Sequence, residues 1–165
     1  MNRKPILELA VLIFFPAALF ADFGFGVGGG YDFSTSPSAF MSASFRADTT
    51  PWCFNLNVHS DCALSFSADN WIIHKKLADN ISTFVLWGFS VEFQKDISTD
   101  NSDFEAAFGS RAGAGMDFFI FKRHLELSTQ IVWDMQVGIQ GNDDGASFLF
   151  RPVNFPCSLA LRFWF

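Results

Sequence analysis

The stretch Leu125-Glu126-Leu127-Ser128-Thr129-Gln130-Ile131-Val132-Trp133-Asp134-Met135-Gln136-Val137-Gly138-Ile139 places Leu125, Leu127, Ile131, Trp133, Met135, Val137 and Ile139 on one parity. Glu126, Ser128, Gln130, Asp134, Gln136 and Gly138 fall on the other. Alternation of period two is the signature of a strand with one apolar face, because successive side chains of extended backbone point to opposite sides. The preceding segment behaves alike. Phe104, Ala106, Phe108, Ala112, Ala114, Met116 and Phe118 alternate with Glu105, Gly109, Arg111, Gly113, Gly115 and Asp117. Two such runs, each far longer than the usual strand of about 5–6 residues, ask for a structure that keeps one face apolar over a long distance.

Working outward, the same parity marks six further strands. Phe23, Phe25, Val27, Tyr31 and Phe33 oppose Gly24, Gly26, Gly28, Gly30 and Asp32. Ala39, Met41, Ala43, Phe45 and Ala47 oppose Phe40, Ser42, Ser44, Arg46 and Asp48. Trp52, Phe54, Leu56 and Val58 oppose Cys53, Asn55, Asn57 and His59, and a tight turn at Ser60-Asp61 leads to a fourth strand from Ala63 to about Ile73. Its parity breaks over Asn70 to His74, where a bulge or an early stop is expected. His74 to Asn80 reads as a connection. The fifth strand carries Val85, Trp87, Phe89, Val91 and Phe93 against Gly88, Ser90, Glu92 and Gln94. The final strand sets Phe155, Cys157, Leu159, Leu161, Phe163 and Phe165 against Pro156, Ser158, Ala160, Arg162 and Trp164, and Phe148 to Pro156 before it is ambiguous.

Composition says what solvent this pattern faces. Of 165 residues, 50% are hydrophobic and 17% charged, and 23 are Phe; a soluble domain carries about 25% charged residues. The apolar parity is rich in Phe and Trp, whereas the opposite one is mostly Gly and Ser with scattered charges. A soluble sandwich would cover its polar face with Lys, Glu and Thr. A narrow barrel instead needs small residues or paired charges inside. After residue 21 no apolar run approaches the roughly 18 residues of a membrane helix, so the route across lipid that satisfies all backbone groups is a closed barrel. Residues 22–165 divided over eight strands leave about 18 residues for each strand and its connection, enough for a tilted membrane strand of about 9–11 residues.

The beginning of the chain has a different character. Arg3 and Lys4 precede the run Ile6 to Phe20, interrupted by Glu8 and Pro16, and Ala21 stands before Asp22. This is the layout of a cleavable secretory signal peptide over residues 1–21, with the barrel over residues 22–165. Removing Arg3, Lys4 and Glu8 changes the net charge from −6 to −7. Such a balance disfavours nucleic acid, which requires basic patches.

The ending Leu159-Ala160-Leu161-Arg162-Phe163-Trp164-Phe165 resembles the C-terminal strand signal of bacterial outer-membrane barrels, a terminal Phe preceded by apolar residues at every second position. The resemblance implies that barrel-assembly machinery and periplasmic chaperones handle the chain, reading Leu159, Leu161, Phe163 and Phe165. In length and strand number the chain is similar to small eight-stranded barrels of the OmpX, OmpW and OmpA-membrane-domain type. Ser65 to Ile73, Gly109 to Gly113 and Arg162 to Phe165 further resemble a group of short spirochaete outer-membrane barrels. The expected fold is therefore all-β, an eight-stranded antiparallel up-and-down transmembrane β-barrel in outer-membrane lipid. With both termini periplasmic, the outer loops fall at about Ser34 to Ser38, Ser60 to Asp61, Lys95 to Asp103 and Gly141 to Pro152.

Candidate chemistry is sparse. Gly24-Phe25-Gly26-Val27-Gly28-Gly29 matches a dinucleotide fingerprint in form, but no helix follows, and glycines lining a crowded interior explain it better. Cys53 and His59 face inward, Cys62 opens the fourth strand and Cys157 faces lipid, so neither a metal site nor a Cys53–Cys62 disulfide is expected. His59-Ser60-Asp61 invites comparison with lipid-modifying barrels, yet adjacent residues of a tight turn cannot form a relay. No cofactor is expected. The informative set is the inward charges, Arg46, Arg111 and Arg162 against Glu92, Glu105, Asp117, Glu126 and Asp134. Charges in a narrow lumen must be paired, and Glu126 and Arg162, both toward the periplasmic end of neighbouring strands, are expected to meet. The reading that follows is a side-chain-filled barrel with a structural or surface-contact role and no enzymatic activity. The alternative is OmpW-like passage of small or apolar solutes through the lumen or a lateral opening near Asn70 to His74.

Overall fold

The structure, a computed structural model, describes residues 22–95, 104–121, 124–142 and 145–165. The expected signal peptide at residues 1–21 and most of the loop at Lys95 to Asp103 lie outside them. The described strands are β1 (Phe23–Ser34), β2 (Ser38–Ala47), β3 (Trp52–His59), β4 (Ala63–Ala78), β5 (Ile81–Lys95), β6 (Phe104–Ile120), β7 (Leu125–Asn142), β8 (Gly145–Arg151) and β9 (Asn154–Trp164). Strands β1 to β8 each pair antiparallel with their neighbours in sequence, and β9 pairs with both β1 and β7, which closes the sheet. β8 and β9 together occupy the eighth position: β8 continues from Gln136↔Arg151 upward along β7, and β9 from Ile131↔Cys157 downward. The result is a closed eight-strand antiparallel up-and-down barrel, and closure removes the free edges that an open sheet would carry.

Its faces are inverted relative to a soluble protein. Phe25, Met41, Leu56, Leu64, Trp87, Phe108, Ile131 and Phe163, drawn from seven strands and the closing one, are exposed on the outside. Inside, polar and charged side chains outnumber apolar ones among the buried residues described. An apolar exterior this extensive is a surface for lipid.

Two expectations about connections are corrected. His74 to Asn80 is not a loop: β4 runs on to Ala78, and β5 starts at Ile81. A bulge between Trp71 and Ile73 shifts the register by one, so that Ile72 and Ile73 are both exposed and the ladder resumes with Ile73↔Val85 and His74↔Phe84. The alternation therefore restarts out of phase, and the strand hides itself from a period-two reading. Because Trp71↔Leu86 and Ile73↔Val85 pair on either side, the break is a bulge in a continuous seam rather than a lateral opening. Gly141 to Pro152 is not an outer loop either. β7 extends to Asn142 and β8 returns from Gly145. The interruption comes at Pro152-Val153, where Pro152 has no N–H for the ladder and its carbonyl instead accepts from Trp133 Nε1 at 2.8 Å.

Candidate functional site

The lumen is where this fold gathers polar chemistry, and its centre is built by register. Asp69 of β4 lies opposite Gly88 of β5, Gly88 opposite Arg111 of β6, and Arg111 opposite Asp134 of β7. The four residues thus form one row across four strands, all pointing inward. Gly88 leaves the space through which Arg111 reaches Asp69, since a Cβ there would meet the Ala68 carbonyl and stand 2.7 Å from Asp69 Oδ1. Arg111 donates from Nε to Asp69 Oδ1 at 2.8 Å, from Nη2 to Asp69 Oδ2 at 3.3 Å, and from Nη1 to Asp134 Oδ2 at 3.3 Å. Asn55 Nδ2 donates to Asp69 at 3.2 Å, and Ser90 Oγ lies 2.9 Å from both oxygens of Asp134. Planar guanidinium and two carboxylates, all buried, make the fork geometry in which such contacts are strongest.

At the end of the barrel away from both chain termini, Arg151 of β8 lies between Glu92 at 2.9 Å and Glu105 at 2.5 Å. Gln136 Nε2 links Glu92 to Asp134, each at 3.4 Å, so the central and upper clusters are continuous. At the end that carries the chain termini, Glu126 and Arg162 are paired across β7 and β9 and form a buried ion pair. Trp164 Nε1 donates to Glu126 Oε2 at 2.7 Å, and Arg162 Nη2 reaches Ser44 Oγ at 3.4 Å and Cys53 Sγ at 3.3 Å. The glycines of β1 have their reason here. A Cβ on Gly24 would lie 2.9 Å from Arg162 Cγ, and one on Gly26 3.2 Å from Arg162 Cβ. Gly24 to Gly29 is part of a strand that yields room to an arginine.

Arg46 and Asp117 depart from the expected pairing of inward charges. Among the described residues Arg46 has no carboxylate partner; its guanidinium lies 3.8 Å over the Trp71 ring, and its Nε has no hydrogen-bond partner. Trp71 in turn stacks on Phe84 with centroids 3.7 Å apart and planes 4° from parallel. Leu86, Val132 and Cys53 complete a buried apolar cluster around them. Asp117 is fully buried with His74 Nε2 at 3.4 Å. The barrel is thus filled by an aromatic and aliphatic layer in the half nearer the chain termini and by an ion network beyond it. A cation on an aromatic face is attracted by the ring quadrupole, which replaces part of what a carboxylate would supply.

Asp69, Arg151, Trp71, Phe84 and Trp164 stand outside the set of inward charges selected from sequence. Asp69 shares the inward parity of Ser65 and Ser67, so that signal was present. Arg151 sits in the ambiguous stretch, and Trp71 at the bulge. The remaining candidate groups do not converge. His59 lies buried between Ser38 Oγ at 3.2 Å and Ser65 Oγ at 3.0 Å, away from Ser60, whose Oγ accepts from the Ala39 N–H at 3.2 Å. Cys53 is buried, Cys62 is an exposed turn residue with φ 65°, Cys157 is half-buried, and all are free thiols.

Two spaces remain. The cavity in the middle and upper lumen amounts to about 40 Å³, room for a few waters at roughly 10–15 Å³ each. A vestibule of about 310 Å³ opens at the mouth nearer the chain termini, the periplasmic one if both termini are periplasmic as expected from the sequence, with Arg46 and Trp164 among its walls.

A closed eight-strand barrel with an apolar exterior and a polar interior is the architecture of a transmembrane β-barrel. Comparison with known proteins agrees on the fold. The chain is similar to a major outer membrane protein from Thermus thermophilus, with a TM-score of 0.52 at 13% identity over 88% of this chain and 99% of that one. It is also similar to the N-terminal β-barrel domain of Pseudomonas aeruginosa OprF, with a TM-score of 0.50 at 14% identity over 86% and 97% of the two chains. No family model and no curated protein sequence matches it.

Proposed function

We propose that this protein is a non-enzymatic structural element of the outer membrane, a barrel whose filled lumen closes the membrane while its short outer hairpins present an acidic surface. The observation that carries this reading is the Arg111 bridge between Asp69 and Asp134, stacked above the Trp71–Phe84 layer. An eight-stranded barrel leaves space for side chains and little more, and here that space is taken up by groups bonded to one another. The C-terminal strand fits the same role. Phe165 stacks on Phe23 with centroids 5.5 Å apart, and its N–H donates to the Phe23 carbonyl at 3.0 Å, so the residue proposed to be read by the assembly machinery ends up at the closing seam.

Planar-bilayer conductance of the refolded protein tests the proposal. Wild type is expected to give no discrete channels, and Arg111→Ala combined with Phe84→Ala is expected to give measurable leakage. Reproducible wild-type channels would overturn the structural reading in favour of transport.

A further inference from the structure

The periplasmic vestibule is larger than the lumen cavity and is separate from the ion network that fills the lumen. At its inner end is Arg46, only 6% exposed, with its Nε unpartnered and its ring-facing side covered by Trp71. The neighbouring Glu126 is already engaged by Arg162 and Trp164, and Asp117 lies 3.4 Å from His74 Nε2 with neither of its oxygens hydrogen-bonded. A guanidinium so enclosed has hydrogen-bond donors in its plane and no carboxylate of its own, which is the arrangement of an anion receptor. His74 and Lys76, inward on β4 beyond the bulge, add two more basic groups to the same wall.

The rim differs, and Asp48 stands two residues beyond Arg46, past the end of β2, toward the mouth. Asp22 and Asp48 line the vestibule as carboxylates near its mouth, and their strand ends are held together by the Asp48 N–H donating to the Asp22 carbonyl at 2.9 Å. A molecule with an ammonium at one end and a carboxylate at the other meets a complementary charge at both. Trp164 and Phe119 supply apolar wall between the two poles. The volume, about 310 Å³, is at the lower end of sites that hold small organic ligands, roughly 300–1,000 Å³.

We propose that the periplasmic vestibule is a binding site for a small zwitterion of the short-peptide class, with its carboxylate on Arg46 and its ammonium between Asp22 and Asp48. The bulge in β4 is what makes the site. Without the one-residue shift at Ile72, His74 and Lys76 would face lipid and Ile73 would face the vestibule. The site is independent of whether the lumen conducts, because it lies below the aromatic layer.

The test uses ¹⁵N-labelled, folded full-length mature protein in detergent micelles and follows the Trp164 indole resonance, assigned with Trp164→Phe, during titration with the dipeptide Ala-Phe. Saturable displacement of that resonance is expected. Ala-Phe amide and N-acetyl-Ala-Phe are each expected to bind at least tenfold more weakly, and sodium acetate to produce no saturable shift in the same range. Arg46→Gln is expected to weaken Ala-Phe at least tenfold. Should that variant fail to refold, the rim pair Asp22→Asn with Asp48→Asn keeps the proposal open to refutation. It should weaken Ala-Phe severalfold and leave N-acetyl-Ala-Phe unchanged. No saturable shift in wild type, or equal binding of Ala-Phe and its amide, would overturn the proposal.

Discussion

Removing the guanidinium at the centre of the lumen is the most informative perturbation. Arg111→Ala deletes two hydrogen bonds to Asp69 and one to Asp134, leaving two carboxylates buried in one side-chain row. Breaking a buried ion pair by removing one partner costs about 3–5 kcal/mol, because the remaining charge has neither water nor counter-ion. Here two charges are stranded, but Asp69 keeps Asn55 and Asp134 keeps Ser90 and Gln136. The retained donors hold the loss within that range, and we expect about 4 kcal/mol. The assay is reversible urea unfolding of the barrel in lipid vesicles followed by tryptophan fluorescence. A triple variant, Asp69→Asn, Arg111→Met and Asp134→Asn, supplies the control. With no charge of that row left to strand, it should recover to within about 1 kcal/mol of wild type, since buried ion clusters replaced as a whole are often neutral. A single variant that loses less than about 1 kcal/mol, or a triple as unstable as the single, would refute the claim that the bridge holds the lumen together through charge compensation.

Other expectations follow from the same geometry. Phe84→Ala, which empties a fully buried ring position stacked on Trp71, should cost about 3–5 kcal/mol, read by the same urea transition. Gly88→Val should prevent assembly or shift heat-modifiable gel migration toward the unfolded form, because its side chain would occupy the path of Arg111 to Asp69 and the space at the Ala68 carbonyl. A membrane-impermeant maleimide applied to intact cells should label Cys62, which is exposed at an outer turn, and leave Cys53 unmodified until the barrel is denatured. Labelling of Cys62 only after cell lysis would reverse the assigned orientation.

The strands were legible wherever the period stayed at two. β6 and β7 alternate without a fault across most of their length, and their observed pairing sets Phe108 against Val137 and Arg111 against Asp134 on opposite faces. What escaped detection did so at irregularities. The bulge in β4 reverses parity at Ile72, which disguised a strand end as a loop, and Pro152 divides the eighth strand into β8 and β9, which disguised its upper half. Arg151 lay in that disguised half, so its bridge to Glu92 and Glu105 had no visible owner. Trp71, at the bulge itself, gave no parity by which to send it inward.

Sequence alone determined the solvent, the topology class and the face on which each regular residue stands, because lipid outside and a narrow space inside impose opposite chemistries on alternate positions. Tertiary structure alone decided which inward charges meet. Parity gives the side of the sheet but not the relative height of two strands, and height is set by register, bulges and the room that Gly24, Gly26 and Gly88 leave for long side chains. That is why Arg111 finds Asp69 two strands away across Gly88, while Arg46, equally inward by parity, lies on a tryptophan beside the vestibule.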